Sequence, residues 1–106
     1  MNKQFILVTG ANGFIGKNLI FNLKSENNYN ILHHNRKDSL KSLKEKINIS
    51  SFIIHCAAEV RSNKASDFHK NNIDLTNKLL DFCYSSNKKK YILFLSTKKV
   101  NKKNNY

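Results

Sequence analysis

The chain has no proline, three glycines, two cysteines, two arginines and seven acidic residues among its 106 positions. Without proline there is no polyproline-type linker or recognition segment. Cys56 and Cys83 stand far apart and lack metal-ligand spacing, so neither a disulfide framework nor a zinc motif is present, and no metal is expected. A reducing cytoplasm is the expected setting for such cysteine usage. No apolar run reaches the roughly 18 residues that a membrane span needs. The start, MNKQFILVTG, has only a short apolar stretch and lacks the pattern of a secretory signal. The length suits one domain with a modest core, and is too short for two.

Acidic residues are scarce because lysine dominates. The net charge is +12, and lysine and asparagine together make up about a third of the chain. Such a charge suits a nucleic acid or an acidic membrane surface as partner. However, the lysines are spread along the whole sequence, and only Lys88-Lys89-Lys90 forms a triplet. No aromatics alternate with basic residues as in a single-strand stacking platform. A global lysine/asparagine bias explains the charge better, and nucleic-acid binding ranks as a distant third reading.

All three glycines, Gly10, Gly13 and Gly16, fall inside the stretch TGANGFIGKNL. Glycine is kept where the backbone must do what a Cβ would block. QFILV before it has strand length and apolarity. After it, Ile15, Leu19 and Leu23 recur four apart, on one helical face. Glycines on a strand-to-helix turn carry a mechanical reading. Gly10 allows the sharp exit, Gly13 lets a phosphate approach backbone N–H groups, and Gly16 lets the helix pack close to the sheet. The helix start supplies unpaired donors and a positive dipole end for a pyrophosphate. The bland alternative is a tight turn without a ligand, and the strand–helix context favours dinucleotide binding.

The rest of the chain continues the alternation. Strands are predicted at Gln4 to Val8, Tyr29 to His34, Phe52 to His55 and Tyr91 to Leu95. Helices are predicted from Gly13 to about Lys24, Ser39 to Lys46 and Ser66 to Ser85. Asp38 is placed to cap the second helix. His33 and His34 adjoin on a strand and point to opposite faces, so they do not readily share a metal. His55 reads as a packed core residue. The expected fold is α/β and Rossmann-like, with a parallel four-stranded sheet of order 2-1-3-4 and three helices. A ligand would bind beyond the carboxyl ends of the strands, beside Gly10 and Gly13. The first helix falls on one face of the sheet, and the other two fall on the opposite face. Strands three and four, apolar at successive positions, should therefore leave one apolar face under-covered, so self-association or marginal stability is expected.

On these residues the chain resembles the N-terminal part of the NAD-dependent epimerase/dehydratase family, the extended short-chain dehydrogenases/reductases. FILVTGANGFIGKNLI resembles the opening strand, turn and helix. IIHCAAEV resembles the strand ending in a small-residue pair. NNIDLTNKLLDFC resembles the following helix, and YILFLSTKKV the strand ending in a serine or threonine pair. The spacing is most similar to nucleotide-sugar reductases of capsular-polysaccharide and deoxysugar pathways. The resemblance covers about residues 3 to 100, expected to form one NAD(P)-binding domain over 1–100 with an irregular tail at 101–106.

The resemblance implies a site residue by residue. Gly10, Gly13 and Gly16, with the backbone of Asn12, Phe14 and Ile15, would hold the pyrophosphate. Ala57 and Ala58 would line the cofactor. Thr97, with Ser96 as the adjacent alternative, would orient the substrate; a strand end satisfied by its own hydroxyls is the competing reading. At the end of the second strand, Asn35 occupies the usual acidic place, no carboxylate precedes Asp38, and Arg36 can fork onto a 2′-phosphate. This favours NADP over NAD, against the alternative that Arg36 and Lys37 are ordinary surface charges.

The family's acid/base tyrosine, with a lysine four residues later, has no match beyond the serine/threonine strand. Tyr29 and Tyr84 fall in the wrong elements, and Tyr91 opens a strand. The chain is therefore incomplete relative to the family, and the expectation is cofactor binding without catalysis by the chain alone. It would be a truncated nucleotide-sugar epimerase, dehydratase or reductase, or one that works with a complementing chain or as a homo-oligomer. The alternative is a non-catalytic dinucleotide-binding module.

Overall fold

The structure, a computed structural model, describes residues 3–56 and 65–95, with side chains from 74 onward in the second span. Ile6 to Thr9 are all buried, so this strand is covered on both faces and sits centrally. It is β1 (Gln4–Thr9), followed by α1 (Phe14–Glu26), β2 (Tyr29–His34), α2 (Leu40–Ile49), β3 (Phe52–Cys56), α3 (Ala65–Ser85) and β4 (Tyr91–Leu95). All strand pairs are parallel and the order is β2-β1-β3-β4, as the sequence pattern predicts. The register sets Thr9 between His34 and His55 at the carboxyl ends of the strands.

Alternation along the strands sorts the core into two layers. Ile6 and Val8 face α1 and pack with Ala11, Ile20 and Cys56, with Ile15, Leu19 and Leu23 against them. Leu7 and Ile53 face the other way, onto Leu43 and Ile47 of α2 and Leu79 of α3. Right-handed crossovers account for this split, because the chain steps one way from β1 to β2 and the other way from β2 through β4. Each fully buried leucine or isoleucine is worth about 1.5–3 kcal/mol against exposure, more than the roughly 1 kcal/mol of a typical helix cap, so packing holds α2 in place.

One cap differs from expectation. Ser39, not Asp38, caps α2, its Oγ accepting from Ser42 N at 3.1 Å. Asp38 lies one residue too early, and its carboxylate is engaged elsewhere. α1 ends at Asn27, which adopts the left-handed conformation (φ 54°) and donates its N–H to the Lys24 carbonyl.

On the α1 side, no helix among the described residues covers β3 and β4. There Phe52 and Tyr91 stack with ring centroids 5.4 Å apart, and Leu93 is 54 % exposed. With Leu23, Tyr29 and Ile54 they line an apolar cavity of about 250 Å³. Among the described residues no helix is long and apolar enough to cross a membrane.

Candidate functional site at the glycine turn

β1 delivers the chain to Gly10, whose φ of +66° lies in the left-handed region. A Cβ there would stand 2.8 Å from the Cys56 carbonyl oxygen of β3, so the turn needs glycine for conformation and for space. Gly13 N–H donates to Gly10 O at 3.0 Å and closes the turn. Gly13 is also the N-cap of α1, in extended conformation, and no side chain caps the helix. No acidic residue occupies the first turn. The helix therefore begins with N–H groups and a positive dipole end turned toward the carboxyl edge of the sheet. A Cβ on Gly16 would overlap the Gly10 carbonyl oxygen and press on Ala11 Cα. Gly16 thus brings the helix against the turn itself, whereas the sequence suggested contact with the sheet. Phe14 is exposed, while Ile15 packs into the α1 layer.

The end of β2 is tied to this turn. Ala11 N donates to His34 O at 3.4 Å, and Asn12 N donates to Asn35 Oδ1 at 2.9 Å. Asn35 N in turn donates to Asp38 Oδ2 at 2.8 Å, and Asp38 N to Asn35 O at 2.9 Å. Lys46 of α2 lies 3.9 Å from the Asp38 carboxylate and also donates to His33 O. The bond from Asn35 and the nearby Lys46 hold the Asp38 carboxyl below the usual carboxylate range, against a smaller opposing effect of desolvation. Arg36 is exposed beside Asn35. Asn35 is thus brought to the glycine turn as its position in the sequence suggested. The link through Asp38 was not legible, because an Asp before a helix reads first as a cap.

Beneath the turn, on the α2/α3 face, lies a buried polar row. His55 Nδ1 bonds Thr9 Oγ1, and its Nε2 bonds Thr76 Oγ1 at 2.9 Å. His34 is buried, and its Nδ1 has no partner among the described residues. Burial pushes both imidazoles below their ordinary value; at His34 the Asp38 charge opposes this in part. No cluster of three or more metal-ligating side chains occurs among the described residues.

The structure brings together Gly10, Asn12, Gly13, Phe14, Ile15, Gly16, Asn35 and Arg36. Ala57, Ala58, Ser96 and Thr97 lie outside the described residues. Tyr84 and Lys88 have the tyrosine-to-lysine spacing of four. They lie in the last turn of α3 and in the loop after it, however, and so at the amino ends of the strands. Tyr29 and Tyr91, which open β2 and β4, lie at that same end.

The sequence model of the NAD dependent epimerase/dehydratase family matches residues 6–105. The chain belongs to this family. Among curated members, a UDP-2-acetamido-2,6-beta-L-arabino-hexul-4-ose reductase of Pseudomonas aeruginosa is 33 % identical over 101 residues, covering 95 % of this chain and 27 % of the reductase. Among solved structures, the UDP-N-acetylglucosamine 4-epimerase of Bacillus cereus superposes with a TM-score of 0.66 at 31 % identity, covering 87 % of this chain and 35 % of that one. The capsular polysaccharide assembling protein CapF of Staphylococcus aureus gives a TM-score of 0.66 at 31 % identity, covering 82 % and 24 %. The chain thus spans about a quarter to a third of the length of these epimerase/dehydratase relatives. Membership supports a nicotinamide dinucleotide as cofactor and a Rossmann-type fold to hold it.

Proposed function

We propose that this chain is the dinucleotide-binding part of a nucleotide-sugar oxidoreductase or epimerase, and that the glycine turn holds the cofactor pyrophosphate. The observation that carries this is the joint between β1 and α1. A left-handed Gly10 and a glycine N-cap leave the helix start free of side-chain caps. Gly10, Gly13, Phe14, Ile15 and Gly16 take the pyrophosphate, on a turn ordered by Asn12, whose amide, expected among the donors, is held instead by Asn35. Asn35 and Arg36 take the adenosine ribose, and Ala57 and Ala58 flank the cofactor. The fit is chemical as well as spatial. Arg36 and Lys37 follow the end of β2 directly, and the Asp38 carboxylate beside them is turned onto Asn35 and Lys46. This favours NADP over NAD. When bound, the nicotinamide supplies hydride transfer.

Calorimetric titration with NADPH and NADH tests the reading. Saturable binding is expected, tighter for NADPH, and Gly13→Val should weaken it at least about tenfold, since one lost interaction of 1.4 kcal/mol has that effect. Gly13 is the informative position, because its added Cβ meets protein only at 3.3 Å from Gly10 O. A thermal melt of the variant confirms folding. A folded wild-type chain that binds neither nucleotide overturns the proposal.

The substrate class is inferred from the relatives: a nucleotide-sugar, oriented by Thr97 with Ser96 beside it. The 106 residues alone are proposed to bind without turning over. The described tyrosines lie at the end of the sheet opposite the turn, so they supply no acid/base where a nicotinamide would sit. General acid–base catalysis is worth about 10² to 10⁴ in rate. Cofactor oxidation against a panel of 4-keto nucleotide-sugars should stay at background. Robust turnover removed by Thr97→Ala would refute this. If the purified chain is silent and a mixture with a complementing chain is not, activity depends on that chain.

A further inference from the structure

We propose that Asp38 is a positioning residue for the dinucleotide site: it fixes Asn35, and through Asn35 it fixes the Asn12 amide of the glycine turn, with Lys46 steadying it from α2. The inference rests on the reading that the turn binds a dinucleotide. Its geometry is a continuous chain of polar contacts across three elements. Asn12 N–H is held by Asn35 Oδ1 at 2.9 Å, and Asn35 N–H by Asp38 Oδ2 at 2.8 Å. Asp38 N–H returns to the Asn35 carbonyl at 2.9 Å, which closes the loop on itself. Lys46 Nζ stands 3.9 Å from the carboxylate and donates to the His33 carbonyl, so one ammonium spans the last residues of β2 and the loop after it.

The usual job for an acidic residue here is taken by another residue. Ser39 caps α2 through Ser42 N, which leaves the Asp38 carboxylate to serve the loop. Two consequences follow for the ligand. Asn12 N–H is engaged by Asn35, so it orders the turn and is not one of the donors offered to phosphate. The Asn35 amide oxygen already accepts from Asn12 N–H and keeps one lone pair, while its NH₂ carries two donors for a ribose or its 2′-phosphate. The loop therefore reaches the ligand as a donor surface, and the carboxylate that would repel a phosphate is what holds it in shape.

Backbone amide exchange and nucleotide titration on the full chain test this together. In Asp38→Ala, exchange at Asn12 N–H should quicken and NADPH binding should weaken, each by about tenfold, the effect of one lost charge-assisted hydrogen bond. Asp38→Asn keeps an oxygen that accepts from Asn35 N, so it should restore both to within about threefold, by the same scale. Lys46→Met should give an intermediate effect, and the remote exposed change Lys44→Ala none. A purely structural role for Asp38 would lower the melting temperature without singling out Asn12. If wild type binds NADPH and Asp38→Ala binds as tightly with unchanged Asn12 exchange, the positioning role is wrong and the dinucleotide reading stands. If wild type binds neither NADPH nor NADH, the dinucleotide reading itself is wrong.

Discussion

His34 and His55 flank Thr9 beneath the glycine turn, and both are buried. Burial lowers their pKa values, and His33 moves the same way under desolvation, Lys24 and Lys46. An unfolded chain titrates near the ordinary value of about 6.5. Below that pH the unfolded chain binds protons that the folded one refuses, so stability rises with pH across this window. Full stability is therefore expected above about pH 6.5, with progressive loss as pH falls toward the lower folded values. Urea midpoints measured between pH 7.5 and 5 should fall. His34→Phe, which removes the imidazole whose Nδ1 has no partner among the described residues, should flatten the slope. A midpoint independent of pH in wild type would contradict the burial argument. The sequence made His55 legible as a core residue because it sits in an apolar strand. The two threonines that satisfy it were not legible, since Thr76 reaches it from a helix 21 residues on.

The elements were largely readable because each carries its own local signal. QFILV, FIIH and YILFL are short apolar runs, and the α1 and α3 faces repeat at helical spacing, so most edges fell within one or two residues of those observed; α2 runs three residues past the expected Lys46, to Ile49. The cap of α2 was the exception. Asp38 and Ser39 are both good N-cap residues, and only the three-dimensional demand of Asn35 N–H separates their roles. Ser39→Ala should therefore destabilise the fold by about 1 kcal/mol, the typical cost of a lost N-cap. It should leave nucleotide affinity unchanged, whereas Asp38→Ala should weaken it. Nucleotide titration of the two folded variants side by side checks the split, and equal losses of affinity would show that they share one role.

At the scale of the molecule, the strand order followed from right-handed crossovers, and with it the bare apolar face. Which alternate set would be exposed was not legible, because strands three and four are apolar at nearly every position. The structure assigns it: Phe52, Tyr91 and Leu93 lie on the α1 side, where no described helix covers them. Apolar surface of this kind binds hydrophobic dyes and promotes association. With a net charge of +12, the chains also repel one another. Sedimentation should then show association that increases with salt, as the lysines are screened. Leu93→Lys should reduce both dye binding and association. A monomer that binds no dye at any salt concentration would mean that this face is covered. A dinucleotide held at the glycine turn would show itself in an amide chemical-shift titration with NADPH. Saturable shifts are expected, concentrated at Gly10 to Gly16 and at Asn35 and Arg36. Shifts confined to other regions, such as the lysines at 88 to 90, or none at all in a folded chain, would contradict it.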